Sequence, residues 1–471
     1  MIIQYQVTGN TAASIADSLE RGVISGSLAP SELLPPIRDL AKLLEVSPGT
    51  VASAYRLARL RGLTVSDGRR GTRVRPWRRE TTPAPWPAPA PDTDTDTDNR
   101  YRNRLGEPSV PSSDASHGQV VDLGSGNPDP ELLPDLAATL HRINYRPVSY
   151  GSPVLEASLE QVATTQLTAD GVPVDHLTCT FGALDAISRI LNSSLRPGDR
   201  VAIEDPGWPA LINGLTQWGL VAVPVTVDDD GPVPDALWEA LAGGARAVVL
   251  TSRAQNPTGA SITGDRATAV VEVLARYPGV ITIEDDHGHK IANVDLHSIT
   301  AAHTKSLPGP WAFVRSAAKA YGPDLRVAIV AGDATTVNRV DASLDASAGW
   351  VSHLLQQTVA DLWFDDAVAE LTRAAANTYD DRRRALLEHL TTAQIRAVGR
   401  TGLNIWVAVE DEASCVAKLW EGGWRVAGGR AFRLASEPGI RITTAALPVE
   451  QAPVLAKAVT EALGTTSAGR Y

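Results

Sequence analysis

The spacing of apolar positions changes character along this chain. In residues 11–25, Ile15, Leu19 and Val23 recur at the interval of one helix face. Pro35-Pro36 precedes a second short helix at 37–44. Ser47, followed by Pro48 at a first helical position, predicts the N-cap of a third helix at 48–60, and Gly62 ends it. Short apolar runs at 63–65 and 72–74 flank Asp67-Gly68-Arg69-Arg70-Gly71 and read as two strands around a turn. Three helices and a hairpin predict a winged helix-turn-helix, with Leu43, Val46, Val51 and Tyr55 packed inward.

Between residues 77 and 117 no apolar period persists, and Pro, Asp, Thr and Ser dominate. Such a segment lacks the apolar surface to bury a core, which predicts a flexible, partly extended linker. Beyond it, strands are expected at 177–180, 200–204, 247–250, 281–284, 311–314 and 328–330. Helical stretches such as 183–191 and 265–276 fall between them. That alternation predicts an α/β unit built on a mainly parallel sheet. A smaller α/β lobe is expected over roughly 380–462. The expected organisation is therefore a head at 1–76, a linker at 77–117 and a large unit at 118–471.

Composition narrows the classes. The 471 residues are 43% hydrophobic and 21% charged, normal for globular protein. No apolar run is long enough to span a membrane, and the N-terminus lacks the pattern of a signal peptide. Two cysteines, Cys179 and Cys415, argue against a disulfide framework or a cysteine metal site and fit a reducing cytoplasm. The net charge of −11 is uneven: residues 1–80 carry 12 Lys/Arg and 7 Asp/Glu, a balance of +5, against −16 in the remainder. A basic end on an acidic chain points to a polyanion partner for that end, although a solvated charged face has the same composition.

In the predicted recognition helix, Thr50, Ser53 and Arg56 share a face that fits a major groove, with Ser47 at its start. Arg38 and the wing residues Arg69, Arg70, Gly71 and Thr72 are candidates for phosphate or minor-groove contact. The segment ISGSLAPSELLPPIRDLAKLLEVSPGTVASAYRLARLRGLTVSDGRRGTRV, residues 24–74, resembles the GntR-type winged helix. The resemblance implies binding to a double-stranded DNA operator. Pro48-Gly49 stand where relatives commonly carry Arg-Asn or similar polar residues, so base reading there differs.

The second half offers another constellation. Lys319 lies in a stretch of small and apolar residues, Ser316-Ala317-Ala318-Lys319, where desolvation favours a neutral, nucleophilic amine. Asp285 ends a predicted strand, placed to hold a cationic ring nitrogen. Thr180-Phe181-Gly182-Ala183-Leu184 is a strand-to-helix turn whose free N–H groups suit a phosphate. Trp208 offers a flat stacking face, and Arg326 a forked phosphate donor. Each signal alone is common; the ordered set resembles the fold-type I pyridoxal-phosphate enzymes, the aspartate aminotransferase superfamily, over about 120–463. Joined to the GntR-like head, the chain resembles the MocR subfamily of regulators.

That resemblance implies pyridoxal 5'-phosphate as cofactor, with Lys319 as its Schiff-base lysine and Asp285 at the ring nitrogen. Asn256, in Asn256-Pro257-Thr258-Gly259, would bond the ring hydroxyl across a cis Asn-Pro bond. Gly182, Ala183, Ser316 and Arg326 would bind phosphate, Tyr150 would reach the phosphate of a neighbouring subunit, and Arg441 would hold an amino-acid carboxylate. His287 replaces the tyrosine of the subfamily's Glu-Asp-Asp-Tyr and is expected near the cofactor. The stretches 253–259, 284–287 and 315–333 are similar to a subgroup tied to vitamin B6 salvage. The expectation is a homodimeric transcriptional regulator whose effector is pyridoxal phosphate itself, or an amino compound that condenses with it. The rival is a catalytically active aminotransferase with an appended DNA-binding head.

Overall fold

A computed structural model describes residues 7–24, 27–29, 32–60, 63–66, 71–74, 120–301 and 309–464. By its contacts the chain divides into Met1–Gly118 and Gln119–Tyr471. The expected linker at 77–117 and the wing-tip residues Arg69 and Arg70 lie outside the described residues.

The first unit has three helices, α1 (Ala12–Ile24), α2 (Ile37–Leu43) and α3 (Pro48–Leu60), then the antiparallel strands β1 (Thr64–Ser66) and β2 (Thr72–Val74). Helix α3 starts as expected: the Thr50 N–H donates to Ser47 Oγ at 3.1 Å, satisfying one of the orphan donors of a first turn. Ile15, Leu19, Leu40, Val51, Ala54, Ala58 and Val74 form the core. Tyr55 is buried, and its hydroxyl donates to the Pro35 carbonyl at 2.7 Å, tying α3 to the segment before α2. Leu43 does not pack inward; it is 62% exposed. Leu40, Ala41 and Leu44 follow the 3.6-residue period of the inner face, and Leu43 falls off that face.

In the second unit, β3 (Val121–Asp122) precedes an eight-stranded sheet. Its strands are β4 (Leu177–Thr180), β5 (Arg200–Asp205), β6 (Val221–Asp228), β7 (Gly231–Pro232), β8 (Ala245–Thr251), β9 (Ile281–Asp286), β10 (Trp311–Ser316) and β11 (Ala328–Gly332). The spatial order is β4-β11-β10-β9-β8-β5-β6-β7. The central neighbours β10, β9, β8, β5 and β6 run parallel, while β11 and β7 are antiparallel to their neighbours. Helices cover both faces, so the central strands read as near-continuous apolar runs such as Ala247-Val248-Val249-Leu250. Ile283, Val314 and Val249 pack on one face with the helices Ala183–Ser194 and Pro209–Gln217; Phe313 and Ile329 pack on the other with Ala157–Ala169 and His353–Phe364.

The smaller lobe is an antiparallel sheet ordered β12-β13-β16-β15, from β12 (Ala397–Val398), β13 (Asn404–Ala408), β15 (Ala427–Gly428) and β16 (Gly439–Thr443). A two-residue strand, β14 (Trp424–Arg425), pairs in parallel with β3, so the start of the second unit belongs to this lobe. The helix Asp366–Thr392 leads into the lobe and starts upstream of the boundary expected at about 380.

Candidate functional site

Three consecutive acids end β9, and the pleat sends them to opposite faces. Glu284 and Asp286 share one face, and both are saturated. Glu284 accepts from Ser252 Oγ, Ser298 Oγ, and the N–H and Oγ1 of Thr300 at 2.8–2.9 Å. Asp286 takes both forks of Arg253, at 2.8 and 3.1 Å, and Arg315 Nε at 2.9 Å. Burial alone would raise the Asp286 carboxyl, but the two guanidiniums hold it well below the usual range. Asp285 points the other way, into a cavity lined also by Glu204, Trp208, Thr251, Asn256 and His287. One of its oxygens, Oδ2, is 2.9 Å from His287 Nδ1. The other, Oδ1, is buried and has no hydrogen-bond partner among the described residues.

Lys319 sits in the short helix Ala318–Tyr321 after β10. Its Nζ donates to the Gly126 carbonyl at 2.6 Å. Burial and then the Arg441 guanidinium push its ammonium down to about 8, within reach of the neutral amine that attacks a carbonyl. Arg441, from the middle of β16, donates to Asn256 Oδ1 at 3.1 Å and to the Gly124 carbonyl at 2.6 Å, and its guanidinium lies 4.8 Å from the Phe432 ring centre. Asn256 thereby has its oxygen fixed and its amide N–H groups left to donate elsewhere. The Asn256-Pro257 bond is cis, as the motif implies.

Gly182 caps the helix Ala183–Ser194 with φ +94°. A Cβ there would stand 3.1 Å from Arg326 Nη2 and press on the arginine, and the positive φ of the turn itself favours glycine. Arg326, itself left-handed and exposed, donates to the Phe181 carbonyl at 3.2 Å. Ser316 Oγ accepts from the Ala318 N–H at 3.2 Å and keeps its own proton to donate. Trp208 is partly buried at the start of the helix Pro209–Gln217. Tyr150 stands apart, 95% exposed, its ring edge-on to Trp350 at 5.5 Å. His287 does reach the cavity, but both of its ring nitrogens are already engaged: Nε2 lies 2.9 Å from the Ala254 carbonyl.

Sequence reasoning passed over the residues that hold this frame. Glu204 lines the cavity, accepts from the Thr251 N–H and hydroxyl at 2.9 and 2.7 Å, and is pushed up to about 7 by burial. Gln255 donates to Glu204 and to the Pro206 carbonyl, and accepts from Thr258, shaping the loop that presents Asn256. Asp205 takes the N–H groups of Leu434, Ala435 and Ser436, tying the segment that leads into β16 and Arg441 to the end of β5. A readable signal existed for Arg315, a charge after the apolar run Trp311-Ala312-Phe313-Val314, since buried charges demand partners; Arg253, between Ser252 and Ala254-Gln255-Asn256 in a polar stretch, carried none.

In the first unit, Ser47, Arg38 and Arg56 are exposed, while Thr50 and Ser53 are partly buried on α3. Arg56 Nη2 donates to Ser53 Oγ at 3.4 Å. Gly71 holds φ +92° just before β2, and Thr72 opens that strand. Arg56, Ser53 and Thr50 thus share one side of α3, as the helical period requires.

Among the described residues no helix is long and apolar enough to cross a membrane. Aminotransferase class I and II matches residues 118–459, and the gntR family of bacterial regulatory proteins matches residues 11–74. The chain is 36% identical, over 97% of its length and 99% of the relative's, to the vitamin B6 salvage pathway transcriptional repressor PtsJ of Salmonella typhimurium. It is 26% identical, over 60% of its length and 57% of the relative's, to the HTH-type pyridoxine biosynthesis transcriptional regulator PdxR of Corynebacterium glutamicum. Among solved structures, a kynurenine aminotransferase of Pyrococcus horikoshii shares the fold, with TM-score 0.67 and 20% identity over 74% of this chain and 92% of that one. Fold-type I proteins typically bind pyridoxal phosphate, and the residues here fit that group. A buried, unpartnered carboxylate oxygen faces the cavity, a lysine is poised near neutrality, and a glycine turn leaves room beside an arginine. A GntR-type head implies DNA as its partner, and with an aminotransferase fold behind it the chain belongs to the MocR-type transcriptional regulators of the GntR family.

Proposed function

We propose that the second unit holds pyridoxal 5'-phosphate on Lys319 and that this cofactor is the signal that sets DNA binding by the first unit. The observation that carries the reading is Asp285, whose one oxygen is engaged by His287 and whose other is buried without a partner beside Asn256 and Trp208. A buried carboxylate oxygen left open is costly unless a donor arrives. A vitamin B6 repressor 36% identical over nearly the whole chain supports the choice of signal.

The aldehyde supplies a carbon that an amine can capture as a Schiff base. Lys319 provides the amine, and burial, with the Arg441 charge beside it, keeps it from holding its proton tightly. Asp285 Oδ1 would accept from the ring nitrogen, Asn256 would donate to the ring hydroxyl, and Trp208 would offer its face to the ring. The N–H groups at Gly182 and Ala183, with Ser316 and Arg326, would hold the phosphate. Arg441 holds a carboxylate if an amino compound enters. Tyr150, almost wholly exposed, serves the site of a second copy in a homodimer. Residues 77–117 tether the 1–76 head to the 118–471 effector unit, whose change on binding the signal alters how the paired heads meet an operator. Ser47, Thr50, Ser53 and Arg56 face the groove, with Arg38, Arg69, Arg70, Gly71 and Thr72 at phosphates. With both cysteines buried and free, we place the protein in the cytoplasm.

Borohydride reduction of the protein mixed with pyridoxal phosphate, followed by peptide mass mapping, tests the assignment. One adduct at Lys319, absent in Lys319→Ala, is the expected result. An adduct elsewhere, or none, overturns it.

A further inference from the structure

The residue that replaces the subfamily's tyrosine makes a pair of contacts that fixes its protonation. His287 Nε2 lies 2.9 Å from the Ala254 carbonyl oxygen, and Nδ1 lies 2.9 Å from Asp285 Oδ2. A carbonyl only accepts, so Nε2 carries a proton. The carboxylate opposite Nδ1 is also an acceptor, so Nδ1 carries one too, and the ring is an imidazolium. The carbonyl has no freedom to turn away. Ala254 is held left-handed at φ +56°, and its N–H donates to Ser261 Oγ and Thr401 Oγ1.

The charged groups around His287 agree with this state. Burial opposes a charged ring and Lys319 repels it, but Asp285 outweighs both and holds the imidazole above its usual range. Glu204 lines the same cavity, and the histidine's charge favours its ionised form. Asp285 is therefore not an undivided counter-ion for the cavity. Its Oδ2 is committed to a fixed cation, and only Oδ1 faces inward.

We infer that His287 is a positioning residue that aims Asp285 Oδ1 into the cavity while neutralising part of its charge, so that a bound pyridine ring is only partly protonated at neutral pH. The inference rests on the proposed cofactor and deepens it. A fully protonated pyridine is a strong electron sink and suits transamination. A partly protonated ring still allows Schiff-base capture by Lys319 but drives the later steps weakly. The dyad thus biases an aminotransferase fold toward sensing.

The test is nitrogen NMR of the full chain loaded with pyridoxal phosphate carrying ¹⁵N in its ring, titrated across pH, for the native protein, His287→Phe and His287→Gln. Glutamine retains a donor for Asp285 without the charge. The expected native ring nitrogen titrates near neutrality, and both variants move its midpoint upward by about one unit or more, as removal of a nearby like charge requires. A native ring protonated throughout, or a Gln variant that titrates like the native protein, overturns the inference. Absorbance of the Lys319 adduct is read in the same samples. If it is missing in the native protein, the cofactor reading itself fails and the inference with it; if it is present and the nitrogen does not respond to His287, only the inference fails.

Discussion

The two faces at the end of β9 carry the same chemistry in opposite conditions. On one, Glu284 and Asp286 are surrounded by donors until nothing remains to bond, and two buried arginines fix Asp286 from neighbouring segments. On the other, one residue away, Asp285 keeps an oxygen open toward a cavity. The difference teaches how to separate frame from function among buried acids. A saturated carboxylate stabilises the arrangement it sits in, while an open one has an interaction still to make.

That contrast is broken most directly by truncating each acid in turn. Asp286→Ala leaves Arg253 and Arg315 without their shared anion, and a loss of about 3–5 kcal/mol in unfolding free energy is expected; a denaturant melt showing under 1 kcal/mol would remove the frame role. Asp285→Ala removes only the contact to His287, whose ring can shed its proton, and should lower that melt by less than Asp286→Ala does. It should instead weaken pyridoxal phosphate retention by about 10- to 100-fold, the worth of one charge-assisted hydrogen bond. Equilibrium dialysis showing native affinity would mean that the open oxygen has no part in the site.

A smaller effect sharpens the picture of the cavity. Only neutral Lys319 captures an aldehyde, so the rate of adduct formation should rise with pH and level off above about 8. In Arg441→Gln the levelling point should move to higher pH, because burial remains and the neighbouring positive charge is gone; an unmoved profile would show that Arg441 does not reach the amine. The same contrast extends to the first unit. Ser47 is saturated as a cap, and Ser47→Ala should cost that unit about 1 kcal/mol. Exposed Arg38 faces outward, and Arg38→Ala should leave the melt alone while reducing the salt dependence of DNA binding by about one unit of slope, across all sequences. Equal salt slopes would take Arg38 out of the interface.

Much of the fold was legible in the sequence. Every strand expected between 177 and 330 exists, because strands buried on both faces announce themselves as apolar runs between turns. The Ser47 cap and the helix after it were readable from local chemistry alone. Long-range pairing was not: β3 is two residues long and meets β14 across some three hundred residues of chain, and no local pattern encodes that partner. Nor does a run of three acids say which one faces a cavity, since helices cover both sides of β9 and the pleat alone does not name the functional face. Leu43 misled for a related reason, as a seven-residue helix carries too little period to fix its flank. For the site, motif order was informative about Lys319, Asp285, Asn256 and Arg441, which the fold brings into one neighbourhood. The sequence was silent about Glu204, Arg253 and Gln255, whose roles arise from contacts between distant segments.

The central claim is that capture of pyridoxal phosphate on Lys319 governs DNA binding. The most direct measurement is the affinity of the full chain for DNA from upstream of its own gene and its neighbours, with and without pyridoxal phosphate, for the native protein and Lys319→Ala. The account predicts that the cofactor changes the affinity or footprint of the native protein and leaves the variant unchanged. Equal binding by the native protein in both conditions would contradict it and make the cofactor a fixed part of a site that answers to an amino compound.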